Sequence, residues 1–468
     1  MSRCPPFLGM GSIMKPDSAQ MAAPEYQEIA VSTRGPIAVI PEIVRSETEF
    51  ALLFESWERL TQLSKARIYQ TFDWQWAWWS HFGSGLDLHI IALRHDGEII
   101  GLAPFCVETE SVCGVPYRRC LKLVGCNVRI KEPSGIPITY DVSDYLDIIV
   151  HPDYIGPALE SIARYLRDHV SEYDAIELTN VPGESLIMKD LLPRLGESGF
   201  RILTSRADVC PRLKVPFSME AYIQSLGPNV RRRLLQAKSA ANGGGLFTIE
   251  GAEGPANWPA SVRELAALHQ QRWNRMGYPG LFYDARFGRF INDVVGRMQE
   301  RGRVWLKIAT SGGRTVAVRL GFYFNDAFYD YLSGFDDQSP AARRRPGIAL
   351  LLSMIEDARG VNAETVDFLR GDEAYKFEMS SDAAHNWKVT ALLPARASSV
   401  RAILSFVDAG VRWWWKERLL LRVQSQQHPF PSAAIKYLRF RTESVARKIR
   451  RAGSRSPGFE SEKLNVHA

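Results

Sequence analysis

The sequence lacks several patterns that would assign it to a membrane or secreted class. No run of apolar residues approaches the roughly 18 that a membrane-spanning helix needs. The stretch Met1 to Gln20 has scattered prolines and lacks the order of basic, apolar and small residues that marks a secretory signal. We therefore expect a cytoplasmic protein, with a peripheral contact to the inner face of the membrane as an open alternative.

Cysteine is scarce, and the common signatures of metal and covalent enzymes are missing. Six of the 468 residues are cysteine, and no Cys-x-x-Cys pair occurs, although zinc sites usually show such pairs. Neither a His-Glu-x-x-His motif nor a Gly-x-Ser-x-Gly motif is present. We therefore expect reduced structural thiols, no metal site and no covalent mechanism.

Acidic residues are few in the last part of the chain. Residues 396–468 hold 15 Lys or Arg against 5 Asp or Glu, while the whole chain has a formal charge of +6. Apolar residues recur there every three or four positions, including Leu404, Val407, Trp414 and Trp415. This spacing predicts a basic amphipathic helix over residues 400–422, which either lies on anionic lipid or packs on the protein. No known RNA-binding signature accompanies it, so we expect no nucleic-acid partner.

The remaining composition is that of a soluble globular protein, with 46% hydrophobic and 24% charged residues. Residues 1–36 are rich in Pro, Gly, Ser and Met without periodicity, which predicts a disordered leader. The length that follows is enough for two domains.

Two stretches show the same order of predicted elements, namely hairpin, strand, helix and strand. The first hairpin turns at Asp96-Gly97 and the second at Gly312-Gly313. We predict an α/β (α+β) fold of two tandem domains, 37–205 and 206–395, followed by a helical tail, 396–468. Each domain would have a mixed, mainly antiparallel sheet flanked by helices. A chance recurrence of a common α/β order remains the alternative.

The segment from Arg344 to Ala349 has the composition of an anion-binding turn. It follows a predicted strand and opens an apolar helix, and the first turn of a helix presents unpaired amides and a positive dipole end. Pro346 suits a helix start, Gly347 lets backbone approach a phosphate, and Arg344 and Arg345 add positive charge. A solvated basic loop that begins a core helix is the alternative.

This segment resembles the Gln/Arg-x-x-Gly-x-Gly/Ala acyl-CoA signature of the GNAT superfamily of acyltransferases. The block from Asp367 to Lys376, Asp-Phe-Leu-Arg-Gly-Asp-Glu-Ala-Tyr-Lys, resembles that of the CelD/BcsL acetyltransferases associated with cellulose biosynthesis. These are similar to Fem-type enzymes, which carry tandem GNAT-like domains. The corresponding turn of the first half, His151 to Pro157, lacks the arginine, so we expect that half to bind no CoA.

The resemblance implies acyl transfer from acetyl-CoA or another acyl-CoA to an amine on a small molecule or sugar, in exopolysaccharide or cell-envelope biosynthesis. We favour Glu373 as the base and Tyr331 as the acid, because the reaction needs a deprotonated amine and a proton for the thiolate. The full set of candidates is as follows. Catalytic candidates are Glu373, Asp367, Tyr331 and Lys376; CoA-binding candidates are Arg344, Arg345, Gly347, Ile348 and Ala349; substrate-binding candidates are Arg370, Arg272, Trp273 and His269.

Two other functions remain open at this point. One is Fem-like transfer from an aminoacyl-tRNA, and the other is a non-catalytic scaffold with a GNAT-like fold. For the carboxylates, an ion pair with Arg370 or Lys376 is the structural alternative to catalysis. For His269, Arg272 and Trp273, which recur at helical spacing, the alternative is a packing face.

Overall fold

The computed structural model describes residues 38–112, 115–131, 137–242, 246–252, 257–371 and 373–393, and positions 404, 407 and 410. The predicted leader and nearly all of the predicted tail lie outside the described residues. The strands are β1 (Ile40–Val44), β2 (Leu86–His95), β3 (Glu98–Val112), β4 (Val115–Leu123), β5 (Val128–Lys131), β6 (Pro137–Tyr140), β7 (Ile149–Val150), β8 (Ala175–Pro182), β9 (Arg201–Lys214), β10 (Thr248–Gly251), β11 (Val304–Ser311), β12 (Arg314–Phe324), β13 (Ala327–Phe335), β14 (Thr365–Asp367) and β15 (Asp382–Leu392). The α-helices are α1 (Glu47–Leu52), α2 (Phe54–Leu63), α3 (Phe72–Phe82), α4 (Ile155–Asp168), α5 (Leu192–Glu197), α6 (Met219–Ser225), α7 (Pro228–Asn242), α8 (Trp258–Arg275), α9 (Ala285–Gln299), α10 (Pro346–Gly360) and α11 (Ala374–Met379).

The described residues form a mixed α/β fold around one large sheet, which confirms the predicted fold class. Thirteen strands belong to this sheet, in the order β1-β2-β3-β4-β8-β15-β9-β14-β13-β12-β11-β10, with β7 paired to β3. Most neighbours are antiparallel, and β5 and β6 form a separate two-stranded sheet.

Each half of the sheet contains one parallel pair. β4 pairs with β8 in the first half and β13 pairs with β14 in the second. The chain between each pair contains a helix, α4 or α10, as parallel connections require. Both halves therefore contain the predicted order. In the first half, however, the strand that the sequence pattern predicts at residues 145–150 is only the two-residue β7, and the strand that pairs in parallel with β8 is β4, which the pattern did not predict.

The predicted boundary at residues 205 and 206 lies inside β9. β15, the last strand of the second half, pairs with both β8 and β9 of the first half. The aromatic core also joins the halves, because Trp74 of α3 contacts Phe290 and Phe322 with ring centroids 5.3 and 5.6 Å apart. The division into two domains stays a prediction.

A gap in the sheet begins where β14 ends. β13 and β14 pair only from Ala327–Thr365 to Tyr329–Asp367, although β13 continues to Phe335. Within the described residues, no strand pairs with 330–335 on that side. The backbone groups of this part of β13 are therefore open to other partners.

Candidate functional site

The predicted anion-binding turn lies directly before α10. A short 3₁₀ helix, Pro340–Arg344, is followed by Arg345, whose φ of 57° is left-handed. This residue reverses the chain so that Pro346 begins α10. The amides of Ile348 and Ala349 donate to the carbonyl of Arg345, at 2.9 and 3.2 Å. The Gly347 amide has no helical carbonyl one turn earlier, as expected for the second helical position.

Gly347 is not required by the packing of the protein itself. A Cβ at this position would meet Phe335 at 3.7 Å, an ordinary van der Waals distance. The packing of the protein therefore gives no reason for glycine at this position.

Arg319 of β12 holds this turn in place through hydrogen bonds. Its guanidinium donates to the Gly347 carbonyl at 3.1 Å and to the Asp330 carboxylate at 2.5 Å. Arg319 and Asp330 are both buried, and a buried ion pair needs both partners. The pair therefore holds the turn in one orientation against β12 and β13.

A cavity of about 280 Å³ opens at this turn and is called the turn cavity. It is lined by Val230, Arg233, Leu234, Arg272, Arg319, Ser333, Phe335, Ala342, Arg345, Pro346, Gly347, Ile348, Glu373, Tyr375, Glu378 and Met379. Arg233 pairs with Glu378. Arg272 lies over the Phe335 ring, 4.4 Å from its centroid. Among the described residues Arg272 and Arg345 form no ion pair, so two cations are available to a bound anion.

A second cavity, of about 400 Å³, follows the open edge of β13 and is called the strand cavity. It is lined by Tyr140, Asp141, Asp144, His269, Arg272, Trp273, Leu281, Asp330, Tyr331, Leu332, Ser333, Leu369, Arg370, Glu373, Tyr375 and Lys376. Arg272, Ser333, Glu373 and Tyr375 line both cavities. The two cavities are therefore neighbours that share these four residues.

Glu373 and Lys376 are brought together at this shared region. Their side chains form an ion pair of 3.2 Å, and Glu373 keeps 51% of its side chain exposed. The Lys376 ammonium also donates to the Arg370 carbonyl at 2.7 Å. Gly371, with φ of 141°, makes room for both, since a Cβ there would lie 2.1 Å from a Glu373 oxygen.

The two tyrosines near this region differ in position. Tyr331 lines only the strand cavity, and its hydroxyl donates to the Val142 carbonyl at 2.8 Å. Tyr375 lines both cavities. Burial, and then the negative charge of Asp330, raises the pKa of Tyr375, whereas Arg319 opposes that rise. Both hydroxyls keep their protons at neutral pH, because burial raises the pKa of Tyr331 as well.

Asp367 lies apart from both cavities. It is buried, and its carboxylate accepts from the Tyr145 hydroxyl at 2.9 Å and from the Leu369 amide at 2.8 Å. Burial raises its pKa to about 7. Asp367, a catalytic candidate from the sequence, thus connects the second half of the chain to Tyr145 of the first half.

Arg370 lines the strand cavity while bound to the first half. It donates to the Asp141 carbonyl at 2.6 Å and pairs with Asp144 at 3.3 Å. Two CoA-binding candidates lie outside the turn cavity. Ala349 is buried in the core beneath α10, and Arg344 lines a separate groove on α7.

The three substrate-binding candidates of α8 all line the strand cavity. Gly334 allows this, because a Cβ there would lie 2.8 Å from the His269 amide and 2.9 Å from the Leu265 carbonyl. α8 therefore lies with its backbone directly against β13. Burial, and then the charge of Arg272, lowers the pKa of His269 to about 4, so its ring is neutral at pH 7. Trp273 packs beside it, with ring centroids 5.8 Å apart.

Sequence reasoning missed Arg319 and Asp330, and it missed the wall contributed by Tyr140, Asp141 and Asp144. A signal for the first two was available. Each is the only charged residue of its strand after the first position, and such residues on adjacent strands often pair. The wall from the first half depends on contacts between distant segments and leaves no local pattern.

One group in the described residues has metal-ligand geometry, formed by Glu110, Cys120 and Glu177. Arg118 pairs with both carboxylates, at 2.8 and 2.7 Å. A guanidinium therefore already supplies the positive charge there.

Part of the second half is similar to a known family. Residues 228–377 match the model of the acetyltransferase (GNAT) domain. The matched residues include the turn, the residues shared by both cavities and α8, and the match supports an N-acyltransferase.

Solved structures similar to this chain share little sequence with it. FemX is 12% identical with a TM-score of 0.51, covering 74% of this chain and 96% of its own. A conserved protein of unknown function from Bacteroides thetaiotaomicron is 11% identical with a TM-score of 0.46, covering 75% and 100%. A tandem GNAT protein from the clavulanic acid biosynthesis pathway is 10% identical with a TM-score of 0.39, covering 77% and 99%. The FemX likeness is one of fold.

No curated protein matches the sequence. Among the described residues, no helix has the length and apolar character to cross a membrane.

Proposed function

We propose that this protein is an acyl-CoA-dependent N-acyltransferase whose acyl donor enters by the turn cavity and whose amine acceptor enters by the strand cavity. The proposal rests on the four residues that line both cavities, Arg272, Ser333, Glu373 and Tyr375, which are called the shared wall. Glu373 and Tyr375 line both cavities, so a thioester on one side and an amine on the other would meet beside them.

The turn cavity suits the diphosphate of CoA. The Gly347 amide, the positive end of α10, and the guanidinium groups of Arg345 and Arg272 supply hydrogen bonds and charge. Beyond the turn, the open edge of β13 offers backbone groups to an extended ligand. The pantetheine arm of CoA carries two amides that fit such an edge.

Acyl transfer then needs two proton movements. The amine nitrogen attacks the thioester carbon, its proton passes to a base, the carbon–sulfur bond breaks, and the thiolate takes a proton from an acid. We assign the base to Glu373, the half-exposed carboxylate of the shared wall. We assign the acid to Tyr375 in place of Tyr331, because Tyr375 alone of the two lines the donor side as well.

The strand cavity suits a hydroxylated amine. Asp141 and Asp144 pair with Arg370, and Asp330 pairs with Arg319, so these groups offer hydrogen bonds, while Tyr140 and Trp273 supply aromatic surface. An amino sugar or a cell-envelope polysaccharide precursor has this chemistry. The CelD/BcsL resemblance supports the same class, and a cytoplasmic site with peripheral membrane contact would suit such a substrate.

The test is calorimetric binding of acetyl-CoA to the wild type and to Gly347→Asp. The added carboxylate repels the diphosphate and fills the space beside the turn, so we expect binding to fall below detection. Gly156→Asp is the matched control, because Gly156 is the second residue of α4 in the first half and a Cβ there meets nothing within 4 Å. We expect it to bind normally.

Acetyl-CoA binding that survives in Gly347→Asp would overturn the assignment of the turn. Binding of an aminoacyl-tRNA by a wild type that ignores acetyl-CoA would replace the proposal with Fem-like transfer. Glucosamine and a simple alkyl amine, offered as acceptors to the active protein, would then separate a sugar site from a general amine site.

A further inference from the structure

A third hollow lies on the other side of the turn, against α7. It has a volume of about 730 Å³ and is called the α7 groove; its lining includes Arg231, Arg232, Leu235, Leu246 and Arg344. It shares no lining residue with the turn cavity. The two are nevertheless adjacent, because the consecutive residues Arg344 and Arg345 line one each, and consecutive Cα atoms are about 3.8 Å apart.

The α7 groove is positively charged. Arg231, Arg232 and Arg344 line it, and no carboxylate of the described part of the chain does. Among the described residues, none of the three forms an ion pair. Arg231 is anchored, since it donates to the carbonyls of Gln224 and Leu226. Arg232 and Arg344 are exposed, so they remain available to an external anion.

The same groove has an apolar surface. Leu235 and Leu246 line it and are 46% and 42% exposed. Exposed leucines beside unpaired arginines suit a ligand that joins a flat apolar ring to a phosphate. Contact with such a ring would remove apolar surface from water, which stabilises the complex.

We propose that the α7 groove binds the adenosine 3′-phosphate end of CoA. The adenine would lie on Leu235 and Leu246, and the 3′-phosphate would contact Arg232 and Arg344. This inference rests on the proposed function for one point, the position of the diphosphate at Gly347. From there the nucleoside crosses the Arg344–Arg345 turn into the groove, while the pantetheine arm follows β13 in the opposite direction.

The test compares CoA with dephospho-CoA, which lacks only the 3′-phosphate, by calorimetry on the full chain. We expect the wild type to bind CoA about tenfold tighter, the usual worth of a hydrogen bond to a charged group. Arg232→Ala and Arg344→Ala should each reduce that preference and leave dephospho-CoA binding nearly unchanged. Arg263→Ala is the control, because Arg263 is an exposed arginine of α8 that lines none of the three hollows.

Adenosine 3′,5′-bisphosphate is the second probe, since it tests the groove without any acyl group. We expect it to bind the wild type and to bind Arg232→Ala weakly. Equal affinity for CoA and dephospho-CoA, with acetyl-CoA still bound, would overturn the groove and leave the proposed function intact. Binding of adenosine 3′,5′-bisphosphate without any acyl transfer would support the groove and count against the proposed function.

RNA is the competing occupant. Loss of tRNA binding in Arg232→Ala, together with no preference for CoA over dephospho-CoA, would make the groove an RNA surface and overturn the proposal. Failure of the wild type to bind CoA, dephospho-CoA and adenosine 3′,5′-bisphosphate would overturn both proposals.

Discussion

Tyr375 combines three properties that a proton donor at the shared wall needs. It lines both cavities, its hydroxyl stays protonated because burial raises its pKa, and the charge of Arg319 acts on it. The positive charge of Arg319 stabilises the phenolate that forms once the proton has left. Tyr331 has the burial, but its hydroxyl is engaged with the Val142 carbonyl.

We expect Tyr375→Phe to lower kcat by about 10²-fold or more, the lower end of what general acid catalysis contributes. The KM for acetyl-CoA should change little, because the ring and its packing remain. Steady-state kinetics with acetyl-CoA and a fixed amine would measure both constants. Tyr331→Phe is the control and should lose less than about tenfold. A larger loss in Tyr331→Phe than in Tyr375→Phe would restore Tyr331 as the acid.

Contiguous residues were the part of the site that the sequence predicted well. The Arg345–Pro346–Gly347 turn and the helix after it lie within a few positions of each other, and local backbone rules suffice to place them. Arg319 and Asp330 lie on two strands, and Asp141 lies in the other half of the chain. Their contacts depend on strand register and on packing between the halves, which local patterns do not encode.

At the scale of elements, the strand cavity depends on how closely α8 packs against β13, because α8 carries three of its lining residues. Helical periodicity in the sequence predicts helices at residues 158–169, 261–275 and 347–359, which are close to the observed α4, α8 and α10. The sequence pattern did not predict β4, because Arg118 and Lys122 make its pattern polar. Those charges pair with Glu110 and Glu108 on the neighbouring strand, so they are compatible with a buried sheet.

We expect Gly334→Ala to destabilise the fold by about 1–3 kcal/mol, the usual cost of overpacking. The new methyl would meet backbone atoms of α8 at 2.8 and 2.9 Å, which cannot move aside as a flexible side chain would. It should also raise the KM for the amine, because α8 carries Arg272 and Trp273 into the strand cavity. Urea unfolding and amine saturation curves would measure the two effects.

Gly360→Ala is the matched control for that prediction. Gly360 ends α10, and a Cβ there meets nothing within 4 Å. We expect it to leave stability unchanged or slightly higher. Equal behaviour of the two alanine variants would mean that α8 and β13 are less tightly packed than the structure indicates.

At the scale of the whole molecule, the two predicted domains share both sheet and core. β15 lies between β8 and β9, and the fully buried Trp74 packs on rings of the second half. Sequence patterns predicted the order of elements within each half. They could not predict this interleaving, because strand order across a sheet is set by non-local pairing.

We therefore expect neither residues 38–205 nor residues 206–395, expressed alone, to fold. Each fragment would cut β9 and leave a long strand edge and a large apolar surface exposed to water. Thermal unfolding followed by near-ultraviolet circular dichroism should show no cooperative transition in either fragment. A soluble 206–395 fragment with a sharp transition would support independent domains instead.

The position of β15 has a consequence for biosynthesis. When β8 and β9 have both emerged from the ribosome, the place between them is still vacant, and the segment that fills it, Asp382–Leu392, follows more than 160 residues later. Until then two long strands present unpaired edges to each other and to neighbouring chains. Pairing between strands so far apart in sequence is slow. Nascent molecules are therefore prone to aggregate until β15 is in place, and chaperones would need to protect them during that time.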